Sequence, residues 1–235
     1  MRSIVKERCW NCQAQIGIGE TFCKSCSKIQ PFPEGIDSFQ CIGLERLLRL
    51  DLKELERRFY ELSRQFHPDF HYGKDETEKN ISLENSALLN KAYRILKDPF
   101  SRVEYLIHLE EGSKGDITAK VPQEFLEQIF ELQEVLEEFR AEEAPDIQQK
   151  LKSKLHDAMQ MLRERLADLE KRLFDLFSRW DQSETHSDQS TPSQDRKSLI
   201  KEMKEILSYR TYFKNMIQDI EHLLQGHTER RVIRH

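Results

Sequence analysis

The chain has 235 residues, of which 34% are charged and 37% are apolar, and its formal net charge is −5. This balance lacks the basic excess typical of nucleic-acid-binding proteins, and no apolar run approaches the roughly 20 residues that span a bilayer. With only eight glycines and seven prolines, the composition favours long helices over sheets. The short, polar stretch before the first cysteine is not typical of a secretory signal, so we expect a cytoplasmic location.

Four of the five cysteines form two Cys-x-x-Cys pairs, namely Cys9 with Cys12 and Cys23 with Cys26. Each pair can place two thiolates on one ion, and two pairs close a tetrahedral four-sulfur site. Gly17 and Gly19 lie between the pairs and permit sharp turns. Because residues 1–30 are too few for a hydrophobic core, we predict a zinc-ribbon-like segment that metal binding folds. Iron or a labile cluster would also suit four sulfurs.

Two other uses of the cysteines agree less well with the sequence. A ribbon that binds nucleic acid needs a basic stripe with stacking aromatics, whereas the charges near these cysteines are mixed. A thiol oxidoreductase would use redox-active Cys-x-x-Cys thiols without a metal, and no thioredoxin-like strand pattern accompanies them. We therefore expect protein docking or metal sensing here, with no nucleic-acid partner and no catalytic activity.

A breaker-rich linker over residues 31–36 precedes a predicted helical hairpin. Apolar residues recur at helical spacing before and after the tripeptide His67-Pro68-Asp69, at Leu52, Leu55, Phe59, Leu62, Phe66, Leu88, Leu89, Ala92, Ile95 and Leu96. Pro68 lacks an N–H and disfavours the helical region for the residue before it, so the first helix should end near His67. The second helix is predicted over Asn80–Lys97. The tripeptide is therefore expected at an exposed hairpin tip.

One face of the first helix is basic. Its members recur at intervals of four, three and four residues, with one further arginine beside them: Lys53, Arg57, Tyr60 and Arg64, and then Arg58. A solvated helix face is the ordinary interpretation of scattered charges. Because this face leads to the predicted loop, it also suits the orientation of an acidic partner.

The hairpin resembles the J-domain of DnaJ-type co-chaperones, which stimulate ATP hydrolysis by heat-shock ATPase chaperones. The similarity covers roughly residues 37–109, within a domain predicted at 37–112. Beside the tripeptide it rests on the run Lys91-Ala92-Tyr93-Arg94-Ile95-Leu96-Lys97-Asp98-Pro99. It implies that the loop and the basic face bind the chaperone through His67, Pro68, Asp69, Lys53, Arg57, Arg58 and Arg64.

The remainder predicts three long helices over residues 121–226, after a linker at 113–120 and before a tail at 227–235. The helices are expected at Pro122–Arg140, Pro145–Trp180 and Arg196–Gln225, with a flexible polar loop at 182–195. Their apolar seams are regular enough to close into an antiparallel three-helix bundle. The seam residues are Phe125, Ile129, Leu132, Leu136 and Phe139 on the first helix, Ile147, Leu151, Leu155, Met159, Leu162, Leu166, Leu169, Leu173, Leu176 and Trp180 on the second, and Leu199, Met203, Ile206, Phe213, Ile217, Ile220 and Leu224 on the third. The predicted fold class is thus all-α: a J-domain hairpin, a three-helix bundle and a small zinc-ribbon-like segment.

Three apolar residues are predicted to point away from the bundle seams. Leu126 and Phe130 lie about 100° and about 140° from the core stripe of the first bundle helix, and Tyr212 about 140° from that of the last. Isolated exposed apolar residues are ordinary, but three together can form a docking patch. Eight glutamates against one arginine between Val121 and Glu143 would form either a solvated face or an acidic rim suited to a basic partner.

Three further runs mark the chain beside the tripeptide and the cysteine pairs: Arg8-Cys9-Trp10-Asn11-Cys12, Ser101-Arg102-Val103-Glu104-Tyr105-Leu106 and Phe125-Leu126-Glu127-Gln128. With these runs, nearly the whole chain resembles the HscB family of J-type co-chaperones of iron–sulfur cluster assembly. This resemblance implies a non-catalytic adaptor that binds an HscA- or DnaK-type ATPase and the cluster scaffold IscU, the latter through Leu126, Phe130 and Tyr212. A general DnaJ-type co-chaperone for unfolded clients is the alternative.

Overall fold

The structure is a computed structural model that describes residues 7–17, 20–112, 117, 123–184 and 194–233. Parts of the predicted linker 113–120, of the predicted loop 182–195 and of the tail, as well as Gly19, lie outside the described residues. Contacts between Cα atoms divide the chain into two compact units, with the boundary between Leu109 and Glu110. Within the described ranges, no helix combines the length and apolarity needed to cross a membrane.

The first unit opens with the cysteine segment. Strands β1 (Glu7–Arg8) and β2 (Gln15–Ile16) pair antiparallel, and an isolated bridge joins Phe22 to Ile29. Each Cys-x-x-Cys pair thus lies in the turn of a very short hairpin. Ile16 packs with Cys9 and Cys23 in a small buried cluster. So small a core is typical of segments that a bound metal ion stabilises.

Five helices follow: α1 (Ser38–Ile42), α2 (Leu52–Phe66), α3 (Pro68–His71), α4 (Glu76–Lys97) and α5 (Pro99–Glu111). Of these, α2 and α4 form the helical hairpin. Asp51 and Asp75 cap α2 and α4, because their side chains accept hydrogen bonds from backbone N–H groups of the first turn. Helix α2 ends at Phe66, which confirms the predicted end. Helix α4 begins four residues before the predicted Asn80 because Asp75 supplies its cap.

Five of the ten predicted apolar positions are buried in the core between these helices, and Phe59, Leu62 and Ile95 are half-buried. The buried members of the core, with three residues of α5, are Leu55, Phe66, Leu89, Ala92, Leu96, Val103, Leu106 and Ile107. Leu52 and Leu88 were predicted to belong to it and are exposed instead. Leu52 is the first residue of α2, at the helix end. Leu88 precedes the buried Leu89 by one residue, which is about 100° around the helix.

The second unit contains a 3₁₀ turn (Gln123–Phe125) and three long helices, α6 (Leu126–Ala141), α7 (Pro145–Glu184) and α8 (Gln194–Ile233). Helix α7 packs against both α6 and α8. Ion pairs show that α7 and α8 run antiparallel, since residue numbers rise on one helix as they fall on the other: Arg163–Glu221, Glu170–Arg210 and Arg179–Glu202. The bundle prediction and the all-α class are confirmed.

The predicted seams of the bundle are buried with few exceptions. On α8 every predicted seam residue is buried: Leu199, Met203, Ile206, Phe213, Ile217, Ile220 and Leu224. On α7, Ile147 is exposed and Leu166 is only half-buried. Ile147 lies in the first turn of α7, where helical spacing gives the direction of a face but not whether a neighbour covers it.

Candidate functional site

The four thiols of the cysteine segment lie close enough to share one metal ion. Their Sγ atoms all lie within 4.8 Å of one another. Two separations, Cys9 to Cys26 and Cys12 to Cys23, are 3.6 Å each. A tetrahedral zinc site with Zn–S bonds of about 2.3 Å has sulfur–sulfur edges of about 3.8 Å. The observed spacing fits that geometry, so the segment is able to hold a metal ion.

Two residues outside the predicted set form the turns that bring these thiols together. Gln13 and Ser27 each follow the second cysteine of a pair and adopt positive φ angles of 63° and 58°. Their backbone N–H groups donate to the carbonyls of Cys9 and Cys23 at 3.0 Å and 2.8 Å. The left-handed conformation reverses the chain at these points. Gly17, from which we expected a sharp turn, does not adopt a positive φ.

The environment of Cys9 favours the form that binds metal. Burial opposes ionisation of this thiol, but the backbone N–H groups of Cys12 and Asn11 outweigh it and lower its pKa to about 6. The side-chain amide of Gln30 also lies 3.4 Å from the Cys9 Sγ. A thiolate is the metal-binding species of cysteine. The pKa of the Cys26 thiol is also lowered, by the backbone N–H of Lys28. At Cys12 the backbone N–H of Ala14 is outweighed by burial and the neighbouring thiols, which raise the pKa to about 11, so these thiols do not ionise equally.

The His67-Pro68-Asp69 loop lies at the tip of the hairpin and is exposed. His67 ends α2 and caps α3, with its Nδ1 accepting from the Asp69 backbone N–H at 3.3 Å. The side chains of His67 and Asp69 are 51% and 86% exposed. Both ring and carboxylate are thus available to a partner. The expected loop contains one turn of helix, α3.

Two exposed aromatic side chains next to the tripeptide were not among the predicted site residues. Phe70 and Tyr72 are both exposed, and the Phe70 ring meets that of His67 edge to face at 6.2 Å. They follow the tripeptide in the run Pro68-Asp69-Phe70-His71-Tyr72. Large apolar residues in a loop otherwise expected to face solvent are the signal that would have identified them.

The basic face of α2 is partly neutralised by its own glutamates. Arg57 donates to Glu54 at 2.7 Å and to Glu61 at 2.5 Å. Arg58 donates to Glu54 at 2.6 Å and to the backbone carbonyl of Gly43. Hydrogen bonds from the two arginines hold the pKa of Glu54 at about 2, well below its usual range. The cations presented without such partners among the described residues are those of Lys53 and Arg64.

The three residues of the predicted bundle patch differ in exposure, with those on α6 more exposed than the one on α8. Leu126 and Phe130, one turn apart, are 38% and 61% exposed. Tyr212 is only half-buried, and burial raises the pKa of its hydroxyl. Its ring lies 6.2 Å from that of Phe213, which in turn meets Phe125 at 5.8 Å. Tyr212 therefore lies at the edge of the bundle core.

Sequence comparisons with known proteins consistently find co-chaperones named HscB. No protein-family model matches the chain. It is 35% identical over 144 residues to the iron-sulfur cluster co-chaperone protein HscB of Mus musculus, covering 60% of this chain and 62% of the mouse protein. It is 32% identical over 130 residues to the Arabidopsis thaliana homolog of that name, covering 55% and 51%. The co-chaperone protein HscB homolog of Aliivibrio fischeri is 34% identical over 113 residues, covering 47% and 66%.

The chain therefore matches between about half and two thirds of the length of these relatives. Solved structures extend the likeness. The crystal structure of human co-chaperone protein HscB matches with a TM-score of 0.60 and 27% identity, over 92% of this chain and 97% of that one. The chaperone HscB from Vibrio cholerae, at 21% identity and a TM-score of 0.55, supports the fold. Animal, plant and bacterial relatives carry the same name, and the human structure matches along nearly its whole length, so the comparisons support the HscB co-chaperone family for this chain.

Proposed function

We propose that this chain is a co-chaperone of iron–sulfur cluster assembly that stimulates an HscA- or DnaK-type ATPase and delivers the scaffold IscU to it. The observation that carries the proposal is the exposed His67-Pro68-Asp69 tip, in a chain whose second unit presents a separate apolar patch. The names of the relatives, iron-sulfur cluster co-chaperone and co-chaperone protein, support this role.

The chaperone would be bound by the first unit. His67, Pro68 and Asp69 would make the central contacts, since the side chains of His67 and Asp69 are exposed and the tripeptide lies at the start of the short helix α3. Of the basic residues on α2, Lys53 and Arg64 would attract an acidic surface more strongly than Arg57 and Arg58, whose charges are offset by glutamates.

The scaffold would be bound by the second unit. Leu126 and Phe130 offer exposed apolar area on α6, and Tyr212 would extend it at the edge of the core. The exposed acidic side chains of Glu127, Glu131 and Glu134 surround this area. An apolar centre with a charged rim is the usual anatomy of a protein interface, and the rim here suits a basic partner.

No bond chemistry is assigned to the chain. A partner shifts a conformational equilibrium of the ATPase only as far as it binds one state better than the other, so the exposed loop must favour the hydrolysis-competent state. The cysteine site would hold a structural zinc ion through Cys9, Cys12, Cys23 and Cys26, because tetrahedral sulfur coordination is typical of structural zinc.

The proposal is tested by the substitution His67→Gln. ATPase stimulation should fall to the unstimulated rate because the exposed imidazole is lost, while scaffold binding remains at the parental level. Steady-state ATP hydrolysis by the chaperone, with and without IscU, measures the first effect, and calorimetry with IscU measures the second. His108→Gln, an exposed histidine on α5, is the matched control and should behave like the parent. Full stimulation by the His67→Gln protein would reject the proposed function.

A further inference from the structure

The cysteine segment packs against the base of the His67 loop. The ring of Phe66, the residue directly before His67, is fully buried. Phe22, between the cysteine pairs, stacks on it at 6.4 Å, and Phe32, just after the segment, meets it edge to face at 5.2 Å. Phe22 and Phe32 therefore cover the side chain of Phe66, the residue from which the loop begins.

A chain of buried hydrogen bonds leads from the cysteine cluster to helix α4. The Gln30 side-chain amide donates to the Cys9 Sγ at 3.4 Å, and the backbone carbonyl of Gln30 accepts from the Asn85 side-chain Nδ2 at 2.8 Å. The side-chain Oδ1 of Asn85 accepts from the backbone N–H of Phe32 at 3.0 Å. Gln30 and Asn85 are almost completely buried. Buried amides with both ends satisfied fix the relative positions of the groups they join.

The same helix holds the loop. The hydroxyls of Ser82 and Ser86 both donate to the Phe66 carbonyl, at 2.7 Å and 2.8 Å. Both serines lie within three residues of Asn85 along α4. One short stretch of this helix therefore contacts the cysteine segment and the residue before His67 at the same time.

An ion pair joins the cysteine segment to the start of α4. The Lys28 ammonium donates to Asp75 at 2.9 Å and to Glu78 at 2.5 Å. Asp75 caps α4, and Glu78 is buried. Lys28 and Asp75 are partly exposed, so the main cost of removing Lys28 is that the buried Glu78 carboxylate is left without its cation. The N-terminus of α4, which follows the loop in sequence, thus depends on a residue two positions after Cys26.

We propose that the four-cysteine segment is a clamp on the His67 loop, and that Gln30 and Asn85 are the positioning residues that couple its metal-bound state to the loop. A segment with so small a core owes most of its order to the metal. When the metal leaves, Phe22, Lys28 and Gln30 lose their fixed positions, and the loop loses the packing and hydrogen bonds described above. A loop that is only partly in its binding conformation binds the chaperone correspondingly more weakly. This consequence for chaperone binding rests on the proposed function.

The clamp is tested by amide hydrogen exchange of the full chain, loaded with zinc or stripped with a chelator. Exchange in residues 66–86 should accelerate by roughly ten- to a hundredfold on stripping, because several net-stabilising contacts are lost together. Peptides from α6 and α8 serve as internal references and should not change. Equal protection of residues 66–86 in the two forms would overturn the proposal.

The positioning residues are tested by Asn85→Leu. This variant should retain the parental zinc content and still show faster exchange in residues 66–72, which an effect on metal binding alone would not produce. Tyr105→Phe is the matched control, since it removes one hydrogen bond elsewhere in the same unit, the one that the Tyr105 hydroxyl accepts from the Ser38 backbone N–H. If Asn85→Leu does not fold, the double variant Lys28→Met with Glu78→Gln takes its place without leaving a buried charge. Parental protection in the folded variant would remove the coupling role of these contacts.

Chaperone stimulation is measured on the same samples and separates the two proposals. Metal-dependent protection of the loop in a chain that does not stimulate the ATPase would support the clamp and reject the proposed function. Stimulation by a chain whose loop protection is independent of metal would reject the clamp alone.

Discussion

At the residue scale, the α2 face shows how neighbouring charges decide what a helix presents. The sequence spacing places Lys53, Arg57 and Arg64 on one side of the helix. The structure shows that Glu54 and Glu61 bind Arg57, and that Arg58 turns back to the Gly43 carbonyl. Exposed ion pairs contribute little to stability, but they remove charge from a docking face. The electrostatic attraction of this face is therefore weaker than a count of basic residues indicates.

Glu54 gives a prediction for pH dependence. Hydrogen bonds from Arg57 and Arg58 lower its pKa from the usual 4.5 to about 2. A carboxyl group whose folded pKa is lowered stabilises the fold above its unfolded pKa and ceases to do so as pH falls through the folded pKa. We expect the Glu54 carboxyl carbon to titrate near pH 2 by NMR. In Glu54→Gln the stability difference from the parent should disappear between pH 4.5 and pH 2. A midpoint near 4.5 would contradict the pairing.

The apolar patch gives a second prediction at this scale. Leu126→Ala with Phe130→Ala should weaken IscU binding at least about tenfold, or roughly 1.4 kcal/mol, because exposed apolar anchors commonly dominate interface energies. The helical circular dichroism signal should not change, since both side chains lie outside the core. Phe174→Ala, an exposed aromatic on α7, is the control and should bind like the parent. Undiminished binding by the double variant would assign the scaffold site elsewhere.

At the element scale, periodicity predicted the helices well, and local chemistry decided their ends. The seam of α8 is buried at every predicted position, whereas Leu52 and Ile147, in the first turns of their helices, are exposed. Amphipathic spacing gives the direction of a face, but the turns at the end of a helix can project beyond the neighbour that would cover it. The start of α4 depended on the Asp75 cap, for which the apolar pattern carries no signal.

The cysteine segment makes a prediction as an element. The purified protein should contain about one zinc ion per chain, as expected for a four-sulfur site. Cys9→Ser should lose most of it, because the variant lacks one of the four sulfur ligands. Elemental analysis measures the metal content, and the temperature at which the segment unfolds should fall in parallel. Cys41→Ala, at the fifth and unclustered cysteine, should keep the full metal content. Stoichiometric zinc in Cys9→Ser would contradict the four-thiolate site.

At the scale of the whole molecule, two candidate surfaces lie in separate compact units. His67 belongs to the first unit, and Leu126 and Phe130 belong to the second. When two sites share no contacting residues, the free-energy effects of mutations at the two sites usually add. Such an arrangement suits an adaptor that binds two proteins at once.

This arrangement predicts a ternary complex. The parent chain, IscU and the ATPase should elute together in size-exclusion chromatography in the ATP state. The complex formed by the His67→Gln variant should lack only the ATPase, and the complex formed by the Leu126→Ala, Phe130→Ala variant should lack only IscU. A variant that loses both partners would show that the two surfaces are not separable. Binding of unfolded peptides in place of IscU would favour a general J-domain co-chaperone.

The sequence alone determined the helical class, the hairpin and bundle, the four cysteines and the tripeptide, because each is encoded by short spacings. Cys-x-x-Cys, a proline that ends a helix and a 3.6-residue apolar period are all local signals. The tertiary structure decided which groups meet across about 50 residues of chain, such as Lys28 with Glu78 and Gln30 with Asn85. Contacts of this kind follow from packing and burial, and no local pattern in the chain specifies them.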